Sequence, residues 1–393
     1  MTDYTIRRAA PADYEDLLDF GNYVFRIDFR ALLPKLYGNH PELAADHVLV
    51  TEQHPGGERI QSMVGCFKIP LQVAGKSLLV RGIGTVSVHP YARSKGYMKL
   101  AMHRAIDDAQ AEGADMMVLS GRKQRYQHYG FEKCATQYEF ELYRSISEQL
   151  HKYGVEGICG KVSTAEYTVL PVSEGKAYEL QCAALFASQP VYAQRENFFE
   201  VASSWSSDVR IILKNGAFLG YGTVSKAYGA CAINEFVLND WSDPIPAVLA
   251  LFDAAEADRA EIIAQPYQQE LIHALTLIAE KGSIASGYGI NVLNYPAVIE
   301  AFMQMKSELF PLPDGHYVID VIEKGKTEIT VKDGKVSANP APDGMEADIR
   351  LSHLQMMDFL FAPTGTMGVC GKQPALEKAW FPIPVCFSEQ DNV

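Results

Sequence analysis

The 393-residue sequence has no basic excess, no long apolar run and no recognisable leader segment. Its formal net charge is -13, which disfavours nucleic acid as a partner because phosphate binding needs clustered Lys and Arg. No stretch approaches the roughly 20 apolar residues of a membrane span, and the first residues contain no signal-peptide core. We therefore expect a cytoplasmic protein without membrane contact. Its acidic surface either keeps it soluble or attracts cationic substrates.

Paired cysteines are also absent. The chain has seven scattered cysteines, and no two of them form a C-x-x-C pair. They are Cys66, Cys134, Cys159, Cys182, Cys231, Cys370 and Cys386. An odd number without paired spacing predicts a reducing compartment, no disulfide framework and no zinc or other metal site.

The remaining pattern is that of a mixed α/β chain in three blocks, residues 1–150, 151–288 and 289–393. The order of predicted strands and helices in the second block echoes part of the first, which indicates a weak internal repeat at the level of the fold. The third block predicts an amphipathic helix over 295–309, followed by short strands and tight hairpins.

One segment carries recognisable chemistry, and it extends from Gly84 to Leu100. A predicted strand leads into a turn that contains Arg93 and Gly96, and a helix follows. Backbone N–H groups at such a helix start point at one spot, with the positive end of the helix dipole behind them. The segment is therefore either a pyrophosphate site or an ordinary strand-to-helix turn with solvated basic residues.

Two motifs favour the pyrophosphate site. Val88-x-x-x-x-Arg93-x-x-Gly96 resembles motif A of the GNAT acetyltransferase superfamily. About 30 residues on, Tyr126-Gln-His-Tyr-Gly-Phe131 resembles the segment whose first tyrosine lies beside the thioester sulfur in that superfamily. The last position of motif A, usually Gly or Ala, is Met98 here.

The whole chain resembles the enhanced intracellular survival (Eis) acetyltransferases, whose phosphate loops also carry a bulky residue at that position. The resemblance implies tandem GNAT domains of mixed α/β fold, a catalytic one at 1–150 and a degenerate one at 151–288. It also implies a sterol-carrier-protein-like α+β domain at 289–393 and a homo-oligomer, specifically a hexamer. No Arg-x-x-Gly loop follows the strand that ends near Asn239, so we expect the second domain not to bind cofactor.

The resemblance further implies acetyl-CoA as the donor. Its pantetheine and pyrophosphate would contact, respectively, the backbone of Val86, Ser87 and Val88 and the amides of Arg93, Ser94, Lys95, Gly96, Tyr97 and Met98. Tyr126 would be the general acid, or else a buried aromatic with a satisfied hydroxyl. The terminal carboxylate of Val393 would be the general base, or else part of a frayed tail.

Weaker candidates surround these residues. His89 and His128 are interpreted as structural, and Asp28, Glu389 and Asp391 as possible parts of a cationic acceptor pocket. Tyr23, Phe25 and Phe29 are interpreted as core rather than as an aromatic cage. The leading hypothesis is an N-acetyltransferase of broad specificity for polycationic amines such as aminoglycosides. The alternatives are a protein lysine or N-terminal acetyltransferase with a narrow target, and a lipid-binding protein.

Overall fold

The computed structural model describes residues 4–155, 160–227, 229–342, 344–363 and 374–393. Strands β1 to β19 span, in order, Tyr4–Arg8, His47–His54, Gly57–Val73, Lys76–Val88, Met116–Leu119, Glu132–Lys133, Thr136–Tyr143, Tyr167–Pro171, Val191–Ala193, Ser207–Lys214, Ala217–Ala227, Ala230–Leu238, Arg259–Ala264, Lys281–Ser286, Gly289–Val292, Gly315–Val321, Gly325–Lys332, Lys335–Pro340 and Ile349–Leu351. Helices α1 to α14 span, in order, Tyr14–Phe25, Phe29–Leu32, Pro34–Tyr37, Tyr97–Ala111, Lys123–Tyr126, Arg144–Lys152, Val172–Gly175, Glu179–Ala187, Phe198–Ala202, Pro244–Ala255, Gln269–Ile278, Tyr295–Leu309, His353–Phe361 and Ala375–Trp380.

The chain divides into two compact units. The first comprises Met1–Ala135, Ser286–Val385 and Asn392–Val393, and the second comprises Thr136–Ala285 and Cys386–Asp391. These boundaries differ from the predicted divisions at residues 150 and 288. Strand β7 pairs antiparallel with β13 in the sheet of the second unit, and β15 pairs antiparallel with β5 in the first. Such long-range pairing is decided by tertiary contacts and leaves no local sequence signal.

The first unit contains a mixed sheet in the order β1-β2-β3-β4-β5-β15-β6. Its one parallel pair is β4 with β5, joined by helix α4, and all other neighbours on this path are antiparallel. Helix α4 buries Ala101, Ala105 and Ala109, which recur every four residues on one helix face. Their small side chains allow the helix to pack against core residues of the sheet such as Val64.

The second unit has the same strand plan. Its sheet runs β14-β7-β13-β12-β11-β10-β8, with β12 and β13 as the parallel pair and α10 as the connecting helix. The two sheets therefore confirm the mixed α/β class and the tandem arrangement predicted from the repeated order of elements. Helix α10 is buried around nearly its whole circumference, and Val248, Leu251 and Phe252 are among the residues that it contributes to the core of this unit.

A four-stranded sheet, β18-β17-β16-β19, lies in the C-terminal part of the first unit. Helix α12 has the predicted bounds, because Asn294 caps its first turn and Pro296 occupies a position where no amide hydrogen is needed. The indole of Trp380 is buried and donates to the carbonyl of Pro313 at 3.0 Å, which anchors the segment before the C-terminus. Among the described helices, none is long and apolar enough to cross a membrane.

Five of the cysteines, Cys66, Cys134, Cys182, Cys231 and Cys386, are buried free thiols. Cys159 and Cys370 lie outside the described residues.

Candidate active site

Strand β4 and helix α4 are joined by a tight loop that turns the backbone toward the helix start. Ser94 and Gly96 both adopt left-handed conformations, with φ of 67° and 83°, and Gly96 is the residue that caps α4. The first amide groups of an α-helix have no acceptor within the helix, and the positive end of the helix dipole lies behind them. The loop residues from Arg93 to Gly96 are exposed, so this helix start can accept an anionic group from solvent.

Two side chains at the loop, those of Lys95 and Tyr97, contact the same carboxylate. The Lys95 ammonium lies 2.8 Å from the Glu52 carboxylate, and the Tyr97 hydroxyl donates to the same carboxylate. These two hydrogen bonds, that from Lys95 first, lower the pKa of Glu52. Glu52 therefore holds the loop and the start of α4 together, and its carboxylate offsets the positive charge of Lys95. Sequence reasoning missed Glu52, since it lies more than 40 residues before its partners.

The end of β4 extends past its parallel neighbour. Pairing between β4 and β5 runs from Val80 to Ile83 of β4, so Val86, Ser87 and Val88 lie beyond it. On the other side, the register with β3 shifts before Ser87, and the Ser62 hydroxyl donates to the Ser87 carbonyl at 2.9 Å. A β-bulge of this kind bends the bulged strand and increases its local twist. The backbone of this segment is thus supported on the β3 side alone in the described part of the sheet.

Tyr126 ends helix α5 and is 8% exposed. Its ring packs against Gly121, where an added methyl group would lie 2.8 Å from the Tyr126 Cδ2 atom. Tyr126 belongs to the same apolar cluster as Phe131, and Val86 packs against that cluster. Burial raises the pKa of the Tyr126 hydroxyl, an effect that Arg125 opposes, so the group carries its proton at neutral pH.

The C-terminus lies against β4 in the first unit. Val393 is 7% exposed and contacts Gly82 and Gly84, the two residues that lack side chains on this strand. An added methyl group on Gly84 would lie 2.9 Å from the carboxyl carbon of Val393 and 3.2 Å from its oxygen. The Lys35 ammonium donates to the carbonyl of Asn392 at 2.7 Å. Val393 is therefore buried against the backbone of β4 in this structure.

In the second unit, the tail residues before Asn392 are held by a buried ionic cluster. Arg195 lies between Glu235 and Asp391, and its Nε atom is 2.7 Å from the Asp391 carboxylate. Ser388 also donates to Glu235, and the Gln390 amide donates to the Ala202 carbonyl at 2.6 Å. Asp391 is thus a buried anchor and not part of an open acceptor pocket. Nothing in the sequence pattern distinguished Arg195 from a surface arginine.

The other weak candidates fall in separate environments. The Asp28 carboxylate accepts from the amide of Arg30 at 3.0 Å and caps helix α2. Phe29 is buried, as the interpretation as core requires, whereas Tyr23 and Phe25 are 56% and 42% exposed and are not core. The rings of His89 and Tyr23 stack with their centroids 5.6 Å apart.

His128 is exposed and Glu389 is partly buried.

Helix α10 occupies in the second unit the place that α4 has in the first, but it starts with Pro244 and has Pro246 at its third residue. Proline has no amide hydrogen, so two of the first three donors are missing. Both prolines are buried with Ile245 between them. This helix start cannot bind a pyrophosphate in the way described for α4.

Comparisons with known proteins agree with this geometry. Residues 5–134 match the protein-family model described as acetyltransferase (GNAT) domain. No curated protein matches the chain. The solved GCN5-related N-acetyltransferase from Kribbella flavida is similar over 98% of this chain and 97% of that chain, with 15% identity and a TM-score of 0.67.

Two further solved structures share the fold over nearly the full chain. The GCN5-related N-acetyltransferase from Anabaena variabilis has 14% identity and a TM-score of 0.63, covering 99% of this chain and 98% of that one. Eis1 from Mycobacterium abscessus has 12% identity and a TM-score of 0.62, covering 98% of each chain. At these identities the likeness shows the fold. The match over 5–134 identifies a GNAT acetyltransferase domain, and the protein is an acyltransferase whose donor is acetyl-CoA.

Proposed function

We propose that the protein is an N-acetyltransferase that transfers the acetyl group directly to amines of polycationic acceptors. The observation that carries this proposal is the contact of the Val393 carboxyl group with Gly84, two residues before the free segment of β4 that starts at Val86. Acetyl-CoA, when bound, supplies the acetyl group as an activated thioester.

The donor is held by the backbone of this chain. The segment Val86 to Val88 offers its N–H and C=O groups to the pantetheine, since β5 does not pair with it. The amides from Arg93 to Met98 hold the pyrophosphate at the start of α4, and the exposed Arg93 side chain adds positive charge. Gly96 permits close approach, because no side chain stands between its backbone and the ligand.

Two groups of the chain move protons. The acceptor amine, with a pKa of about 10.4 if it resembles lysine, must lose a proton before or during attack. The Val393 carboxylate takes that proton as general base. The Tyr126 hydroxyl donates its proton to the departing sulfur, and its buried, protonated state suits that role. Each such step contributes roughly 10²–10⁴-fold to the rate.

The acceptor class follows from charge. A net charge of -13 favours the approach of cationic substrates through the summed field of the protein. Aminoglycosides and polyamines carry several amines and fit this preference. The resemblance of the sequence to Eis enzymes also supports a homo-oligomer, specifically a hexamer, and a sterol-carrier-like fold for the C-terminal part of the chain.

The test is thiol release from acetyl-CoA with a panel of aminoglycosides, polyamines and lysine peptides. We expect turnover with several polycationic amines, and loss of that turnover in a chain that ends at Phe387 although acetyl-CoA still binds. Turnover restricted to one protein target, unaffected by a competing polyamine, would contradict the broad acceptor class. Turnover that survives the truncation would contradict the role of Val393.

A further inference from the structure

The turn that follows Tyr126 is closed by its own backbone. The Phe131 amide donates to the Tyr126 carbonyl at 3.3 Å, and the Gly130 amide donates to the Gln127 carbonyl at 3.0 Å. Gly130 has φ of 86°, a conformation that other residues adopt only with strain. The carbonyls of Tyr129 and Gly130 remain as acceptors on the outside of this turn, and their partners come from far along the chain.

Two polar side chains of the first unit meet these carbonyls. Asn291, on β15, donates its amide to the Tyr129 carbonyl at 3.1 Å. His353, the first residue of α13, has its Nε2 atom 3.0 Å from the Gly130 carbonyl and 3.0 Å from the Asn291 side-chain oxygen. A methyl group on Gly130 would lie 3.0 Å from the Asn291 amide nitrogen, so this contact needs glycine.

The contacts determine where the proton of His353 lies. Both neighbours of Nε2 are oxygen acceptors, so Nε2 must carry the hydrogen. Nδ1 lies 2.8 Å from the hydroxyl of Tyr295 and accepts from it. Burial lowers the pKa of His353 to about 4, an effect that Lys324 increases, and the ring is neutral at physiological pH. One tautomer thus satisfies all three partners.

The position of His353 is itself fixed by its helix. Ser352 and Gln355 form a capping box at the start of α13, in which the Gln355 side chain accepts from the Ser352 amide at 3.2 Å. Tyr295, on α12, is buried and holds the other side of the imidazole. The C-terminal part of the first unit therefore presents a preoriented donor to the Tyr126 turn.

We propose that His353, supported by Asn291 and Tyr295, is a positioning residue that holds the Tyr126 turn in the geometry needed for proton donation. This inference rests on the proposed acid role of Tyr126. It gives helix α13 a part in catalysis, and this part does not depend on the position of Val393. The hydrogen bonds fix a turn and touch no substrate, so their loss changes the chemical step and leaves donor binding intact.

The test is a double-mutant cycle on kcat with the full-length protein. His353→Ala should lower kcat about 10-fold, with the KM for acetyl-CoA within about 2-fold of wild type, since hydrogen bonds of ordinary strength are lost. His353→Gln places an amide donor near the position of Nε2 and should keep most of the activity. Combined with Tyr126→Phe, His353→Ala should cause little further loss, because the acid it orients is gone.

The controls separate a local effect from misfolding. His316→Ala removes a histidine that pairs with Glu328 on the C-terminal sheet, and it should leave kcat unchanged. Tyr295→Phe keeps the packing, removes one hydrogen bond and should lower kcat about 3-fold. If the fold-losses in kcat of His353→Ala and Tyr126→Phe multiply in the double variant, the positioning role of His353 is overturned and the acid role of Tyr126 stands. Wild-type kcat in Tyr126→Phe itself would instead overturn the acid role, and the positioning role with it.

Discussion

Gly84 gives the sharpest prediction about the C-terminus, because a single methyl group there meets the Val393 carboxyl group. Apolar contacts have their optimum at about 3.5–4.0 Å, so a methyl group at 2.9 Å from the carboxyl carbon displaces the terminus by about 0.5–1 Å. A misplacement of about 1 Å in a catalytic group can cost about 10²-fold in rate. Gly84→Ala should therefore lower kcat about 100-fold.

The assay is steady-state thiol release at saturating acetyl-CoA, with the KM for acetyl-CoA measured beside kcat. That KM should change little, because Val86 and Val88 keep their backbone. Stability should fall by no more than about 2 kcal/mol, the worth of burying one valine side chain. Gly56→Ala is the matched control, since its nearest neighbour would be 4.0 Å away, and it should behave as wild type.

A second comparison guards against a general effect of the substitution. In a chain that ends at Phe387, Gly84→Ala should cause no further loss, because no terminus is left to displace. Wild-type kcat in Gly84→Ala, or an equal loss of kcat in the truncated background, would show that the position of Val393 does not limit turnover.

Three other predictions concern the acid, the second unit and a buried histidine. In the wild-type protein, kcat should decline at alkaline pH, above the usual tyrosine range, because burial raises the pKa of Tyr126. Tyr126→Phe should lower kcat about 100-fold and remove that decline; an unchanged pH profile would contradict this. Calorimetric titration should find one acetyl-CoA per chain, since Pro244 and Pro246 remove donors from α10; two sites would contradict it. His47 is buried, and its pKa is lowered from 6.5 to about 4, so only the unfolded chain takes up a proton between these values. The stability that His47 contributes is complete above pH 6.5 and falls as pH decreases, by about 2 kcal/mol at pH 5; urea unfolding of His47→Gln should lose that share of the pH dependence, and an unchanged slope would contradict it.

Local patterns predicted much of the fold. The start of α12 follows from Asn294 and Pro296, and the repeated order of strands indicates the tandem plan. Helix α1 ends at Phe25 because Arg26 adopts a left-handed conformation. Strand β15 has four residues, too few to reveal that it is inserted between β5 and β6.

The part of the candidate site that could be proposed from the sequence is the part that lies within one contiguous motif. The loop from Arg93 to Met98 is contiguous, and its order relative to Tyr126 is visible in the sequence. The residues that support the loop and the tyrosine turn are Glu52 and His353, which reach them from distant positions. Only tertiary packing brings such pairs together, so no spacing rule identifies them. For the same reason, the predicted edges at 150 and 288 do not coincide with the limits of the two compact units, since β7 pairs in the sheet of the second unit and β15 in that of the first.

The most direct test of the account replaces the terminal carboxylate of Val393 by a carboxamide through protein ligation, which removes the charge and keeps the shape. We expect kcat to fall about 100-fold or more while the Kd for acetyl-CoA stays within about 2-fold, since a general base contributes that much to the rate. The same kcat in the amidated and unmodified proteins would contradict the assignment of Val393 as the base.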